Sequence, residues 1–234
     1  MSAERRPSDR PSGWREAAYA LGAYGAYLAV RGLVWNDRGR GRADRNARRV
    51  IALERRFGQL LEPKVQRAAS RAPVLLYVLS AGYAAGNVAL SVGWLAWVRY
   101  RGDAGYRRER RSALVAFLGA LPVFLLFPTA PPRTQDGFVD TLADRGVDLD
   151  HPAIQRFYNP IAAVPSYHVA FAVVTGAALA DRARTPAGRA FGRAYAPVVS
   201  LMVVATGNHY LVDVAAGAGL GLLARWTARV TDRS

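Results

Sequence analysis

The residues best placed for covalent chemistry are histidines, because the chain has no cysteine and only three imidazoles, His151, His168 and His209. Without thiols there is no disulfide framework, thiolate zinc site, iron–sulfur cluster or thiol nucleophile. His209 and Asp213 are four residues apart, so on a helix they share a face. A carboxylate there fixes the imidazole tautomer and stabilises the cation formed as the ring attacks phosphorus. His209 is therefore the candidate nucleophile and Asp213 its orienting acid. His168, two residues past Ser166, is the candidate general acid and base, protonating a leaving alkoxide and then deprotonating water or an alcohol. Ser166 and Tyr167, at what reads as a helix N-terminus, and Arg133, a bidentate cation, are the candidate phosphate-binding residues. Together these are the parts for phosphoryl transfer through a phosphohistidine, a scheme that needs no metal and no cofactor. Two histidines and an aspartate can also hold zinc, but no His-Glu-x-x-His pattern and no further ligand at suitable spacing accompany them, so no metal site is expected. His151 reads as a solvated loop residue.

The elements that must position these side chains are visible in where charge is missing. Lys+Arg 32 against Asp+Glu 17 gives +15 over 234 residues, which first suggests nucleic acid. The charges, however, are segregated from the apolar residues: Ala72–Val98, Ser112–Pro132, Phe157–Ala180 and Ala194–Val212 carry no formal charge. Each approaches or exceeds the roughly 20 residues a helix needs to cross a hydrocarbon core. The reading is an all-α, polytopic membrane bundle of six transmembrane helices, near 16–35, 73–98, 112–128, 165–180, 190–206 and 208–226. The arginines are then loop charges flanking spans, and a nucleic-acid partner is not expected.

Six arginines in 99–112 and four in 181–193 place those connections in the cytoplasm. The 129–164 loop, with three arginines and five aspartates, reads as extracytoplasmic. Both termini fall on the cytoplasmic side, residues 1–15 as a disordered tail and 16–230 as a single catalytic domain. Residues 36–72 hold eleven basic residues and four acids on what parity makes the outer side. Val50, Leu53, Phe57, Leu60, Leu61, Val65 and Ala68 recur there at helical spacing, ending or kinking around Pro63. This segment reads as an amphipathic surface helix, on the membrane or on the bundle itself. Asn87 is expected to make an interhelical hydrogen bond, and Gly217-x-x-x-Gly221 to let helices approach. Alternation brings the ends of spans three and four and the turn between spans five and six to one face, so the three polar clusters can meet.

At these clusters the sequence resembles the phosphatidic acid phosphatase type 2 superfamily, and more closely its inositol phosphorylceramide synthase (inositolphosphotransferase) branch. Pro165-Ser166-Tyr167-His168 and His209-Tyr210-Leu211-Val212-Asp213 match its two later catalytic motifs, and Pro128-Thr129-Ala130-Pro131-Pro132 matches a stretch of the branch. Arg133 takes the place of the first motif's arginine. The resemblance implies the superfamily's helical core, a lipid phosphate or phospholipid substrate at the extracytoplasmic face, and water or an alcohol such as inositol as acceptor. An inactive lipid-binding scaffold or carrier of the same fold is the alternative. The sequence departs from the family where a lysine is usual (Leu126), where Ser-Arg is usual (Met202, Val203) and where the phosphatases have glycine (Tyr167). Substrate identity and oligomeric state are not read from the sequence.

Overall fold

The structure is a computed structural model and describes residues 12–58, 60–141, 143–145, 151 and 158–232. Among these residues the chain is all-α, with helices α1 (Gly13–Val34), α2 (Asp37–Arg56), α3 (Glu62–Ser70), α4 (Pro73–Ala81), α5 (Asn87–Tyr100), α6 (Tyr106–Leu126), α7 (Tyr167–Arg182), α8 (Pro186–Ala205) and α9 (Leu211–Val230). The only strand-like pairing among them is a single parallel bridge between Thr129 and Ala162. Of the tail expected over 1–15, residues 12–15 are described, and Gly13–Arg15 belong to α1. Residues 1–11 and the aspartates 148 and 150 of the expected outer loop lie outside the described residues.

Local sequence sets the helix ends. Ser166 accepts from Val169 N to cap α7, and Thr185 accepts from Gly188 N to cap α8, where Pro186 occupies the first turn. Helix α7 is central, packed between α8 and α9 with α5 and α6 alongside. Gly217 and Gly221 face it along α9: an added Cβ would lie 2.5 Å from Ser166 O and 2.7 Å from Ala170 O. The small-residue pattern therefore does what was expected of it. Leu76, Tyr83, Val169, Ala172, Val199 and Val203 form the largest buried cluster, where α4, α7 and α8 meet. Between α4 and α5 the helix widens into a π turn over Gly82–Gly86, beside the motif residues described below.

The 36–72 segment is two helices that pack on the bundle. Helix α2 buries Ala43, Asn46, Ala47, Val50, Ile51 and Glu54 against Ala130, Ile161, Val164 and Tyr210. This corrects the stripe read from the sequence: Leu53 and Phe57 are exposed. A close helix contact favours small side chains and polar groups with fixed partners, and it leaves the larger apolar side chains on the outer surface. Asn46 Nδ2 donates to Pro128 O at 2.8 Å, which ties α2 to the motif at the end of α6.

By length and composition, one described helix, α9, is long and apolar enough to cross a membrane. The six crossings were read from uncharged runs, and the helices do not coincide with those runs. Helix α6 begins at Tyr106 and takes in Arg107, Arg108, Arg110 and Arg111, α8 includes Arg189 and Arg193, and α7 stops at 16 residues.

Candidate active site

The turn from α8 to α9 is built to present His209. Gly207 takes φ +73, a conformation that glycine adopts without cost, and an added Cβ would lie 2.7 Å from Val139 O. The amides of Asn208 and His209 both donate to Val203 O, at 3.0 and 3.2 Å. Asp213 accepts from Tyr210 N at 2.9 Å through the same Oδ2 that faces the His209 ring. His209 Nδ1 lies 3.0 Å from Ala163 O and 3.3 Å from Asp213 Oδ2. Both neighbours are acceptors, so Nδ1 carries the proton and Nε2 presents its lone pair. Asp213 is fully buried and His209 nearly so.

His168 stands across from it, with ring centroids 5.9 Å apart. Tyr83, from the π turn, stacks on the far side of the His168 ring at 4.4 Å. Asn87 donates to His168 O at 3.1 Å and accepts from Tyr195 OH at 2.7 Å, the interhelical role expected of it. Both histidines open into one cavity of about 340 Å³ whose walls are mostly apolar, among them Tyr27, Val88, Val92, Phe117, Tyr167 and Phe171. A pocket of this size, apolar with a few convergent polar groups, suits a small organic ligand.

The other candidates are near but not equivalent. Ser166 is fully buried: its hydroxyl caps α7 and its amide donates to Asp213 O at 3.1 Å, which locks the two motifs together. Tyr167 lines the cavity with its ring, parallel to Phe117 at 5.1 Å, while its hydroxyl donates to Phe117 O at 2.6 Å. Arg133 is brought to the motif turn, its amide donating to Gly207 O at 2.8 Å and its Nη1 to Asp140 Oδ2 at 2.9 Å. Its guanidinium is buried and is not among the described residues lining the histidine cavity. His151 is exposed. Among the described residues no three histidine or carboxylate side chains converge as metal ligands would.

A family model described as the PAP2 superfamily matches residues 48–227. The chain belongs to the PAP2 superfamily. No curated protein and no solved structure matches it. Members of the PAP2 superfamily are typically metal-independent phosphatases and usually membrane-bound, and membership implies the superfamily's helical core. The matched span contains every candidate site residue and the three departures from the PAP2 motifs. Leu126 projects to the surface, and its carbonyl accepts from Arg42 at 2.8 Å; Met202 and Val203 are core residues. None of the three supplies a cation or hydroxyl to the cavity.

Several functional positions escaped the sequence reading. Tyr83 and Tyr27 were not singled out there, yet the Tyr83 ring stacks on His168 and the Tyr27 hydroxyl accepts from Asn159 N at 2.7 Å in the cavity wall. Glu54 and Glu62, one acid in each helix of the basic 36–72 segment, accept from the first amides of α9. Their one sequence signal was two acids among eleven basic residues beside an apolar stripe.

Proposed function

We propose that this chain is an integral membrane lipid phosphate phosphatase or phosphotransferase that works through a phosphohistidine on His209. The observation that carries the reading is the His209 ring. Its Nδ1 is held by Ala163 O and Asp213, and Nε2 is left to face the cavity it shares with His168. In the first step Nε2 attacks phosphorus, the bond from phosphorus to the ester oxygen breaks, and protonated His168 gives its proton to the departing alkoxide. Asp213 stabilises the resulting imidazolium. In the second step His168 takes a proton from water or an alcohol as that oxygen attacks phosphorus. The P–N bond breaks, and free phosphate or a new phosphate ester leaves. The start of α7 is the nearer source of positive potential for the phosphoryl oxygens, and Arg133, paired with Asp140 and not lining the cavity, adds to it at longer range. The apolar walls suit the hydrocarbon part of a lipid.

A membrane setting is supported by exposed apolar side chains along several helices, including Leu21, Val74, Tyr77, Val92, Leu118, Leu201 and Leu222. The arginine-rich ends also meet at one end of the bundle, where Arg111 donates to Thr231 O and Arg182 to Glu109. The motif residues gather at the other end. On this basis the termini are cytoplasmic and the site extracytoplasmic. The resemblance to the inositolphosphotransferase branch favours an alcohol acceptor such as inositol.

His209→Ala in purified protein is expected to abolish release of phosphate from dioctanoyl phosphatidate and any acid-labile phosphoenzyme; undiminished turnover would defeat the assignment. Adding polyols to the wild type separates transfer, which yields a new phosphate ester, from hydrolysis alone. A second reading, an inactive lipid-binding scaffold, is favoured by the absent cations at Leu126 and Val203. It requires wild-type protein that binds the lipid phosphate without turnover, and binding that survives His209→Ala.

A further inference from the structure

The first turn of α9 is held from outside its own helix. Leu211 N donates to Glu62 Oε1 and Val212 N to Glu54 Oε1, each at 2.8 Å, directly after Tyr210 N donates to Asp213. Such amides are the usual anion-binding donors at a helix start. Here carboxyl groups from α2 and α3 already occupy them, so this helix end is closed to phosphate. Both glutamates are at least 98% buried, at 2% and 0% exposure. Their second oxygens, the two Oε2 atoms, are buried and receive no N–H or O–H from any described residue. Leu211 N and Val212 N are consecutive amides, so the two carboxyl groups that hold them are neighbours, each with one buried oxygen left without a donor. Two neighbouring buried carboxyl groups disfavour a double negative charge, and a proton between them relieves it.

We propose that Glu54 and Glu62 share one proton and act together as positioning residues. The monoanionic pair clamps the first turn of α9 and so holds Asp213 and the His209 ring opposite His168. The role assigned to the clamp rests on the reading of His209 as nucleophile; the shared proton does not. The geometry is self-consistent. Each Oε1 accepts from an α9 amide, one Oε2 carries the proton and the other accepts it.

The clamp predicts a pH dependence. Burial, the neighbouring Glu62 and the charge of Asp213 push Glu54 up to about 8, against the opposing pull of the Val212 amide. The titratable groups facing Glu54 are Glu62 on α3 and Asp213 on α9; Tyr210 on α9 faces both acids, and Asp44 of α2 acts on Tyr210. His209 is reached through Asp213. The folded value lies above the ordinary 4.5, so the stabilisation is complete below that pH and is lost as pH rises through about 8. Above it the pair becomes a dianion beside Asp213, and the clamp loosens.

The test uses full-length protein in detergent, with thermal midpoint and kinetics on dioctanoyl phosphatidate followed across this range. Glu54→Ala is expected to lower kcat at least about tenfold with KM changed less than about threefold. Glu54→Gln keeps an acceptor for Val212 and offers its own amide proton to Glu62. It should restore most of that kcat and remove the alkaline fall in thermal midpoint. Glu62→Gln should behave alike. The double variant E54Q/E62Q sets two donors against each other, so its loss of thermal midpoint should exceed the sum of the single losses. Additive double-variant losses together with an unchanged alkaline fall in Glu54→Gln would overturn the shared proton. If the double variant does not fold, the Glu54→Gln profile decides alone. A wild type that shows the alkaline fall in midpoint but no turnover would refute the enzymatic reading and leave the proton-sharing pair standing.

Discussion

Buried acids occur at both ends of the helical bundle, and the two ends satisfy them differently. At the arginine-rich end, buried Glu109 faces Arg182 at 2.8 Å and Arg225 at 3.6 Å, and the exposed Asp181 holds Arg225 at 2.6 Å and Arg229 at 3.2 Å. At the motif end, Glu54, Glu62 and Asp213 are held by the backbone amides of Val212, Leu211 and Tyr210, and Asp213 also by the His209 ring. A carboxylate matched by guanidinium is committed to structure, because the pair neutralises itself and fixes two helices. A carboxylate held by amides and an imidazole keeps charge available to a neighbour whose own charge changes during a reaction. The same residue type thus serves as a rivet at one end and as an electrostatic support at the other.

The sharpest way to break this comparison is to neutralise one acid at each end. Asp213→Asn leaves the shape but removes the charge that stabilises the imidazolium, and is expected to lower kcat by about 10²–10⁴-fold with a modest change in thermal midpoint. If turnover in that variant stays within about threefold of wild type, the motif end is structural too. Glu109→Ala should do the reverse. It removes the shared partner of buried Arg225 and half-buried Arg182, which keep Asp181 and Asp103, at a cost of about 1.5–3 kcal/mol in a chemical denaturation series, while kcat per folded molecule is unchanged. A lower kcat at constant folded fraction would show that the two ends are coupled.

The smallest effect concerns Asp103, in the connection between α5 and α6 at the arginine-rich end. Burial opposes its ionisation, but the Gly105 amide at 2.7 Å and Arg182 at 3.4 Å outweigh it, holding the carboxyl below its ordinary 3.8. A depressed carboxyl stabilises the fold above its unfolded value, and that contribution is lost as pH falls through the lower folded value. Asp103→Asn should therefore reduce the drop in thermal midpoint on acidification. The two ends then respond oppositely to pH, the arginine-rich end weakening in acid and the motif end in base. A thermal midpoint that falls equally in Asp103→Asn and wild type would remove the acid half of that contrast.

Much of the candidate site was legible because its chemistry sits in short spacings. His209 and Asp213 do meet, but not on one helix face as the spacing suggested: His209 lies in the turn before α9, and Asp213, in the first turn of α9, reaches back to Tyr210 N and to the His209 ring. Asn87 was read as an interhelical hydrogen-bonding residue because a buried amide must be satisfied. The acids that grip α9 from α2 and α3 were not legible. Leu211 and Glu62 are 149 residues apart, and Val212 and Glu54 are 158 apart, separations at which no periodicity carries information. The buried stripe of α2 was misread for a related reason. Hydrophobicity alone nominated Leu53 and Phe57, whereas the surface awaiting α2 accepts Ala43, Ala47, Asn46 and Glu54.

The sequence by itself determined the all-helical class, the two histidine motifs and the identity of the candidate nucleophile and its acid. These follow from residue type and short sequence spacing, which limits how far apart the chain can carry the groups. Only the tertiary structure decided that the two rings stand 5.9 Å apart over one apolar cavity, and that Ser166 caps a helix while Tyr167 lines the cavity wall. It alone decided that two glutamates from the basic segment hold the start of the helix that follows the candidate nucleophile. Those outcomes depend on packing between elements far apart in the chain, where shape and the need to satisfy every buried polar group choose the partners.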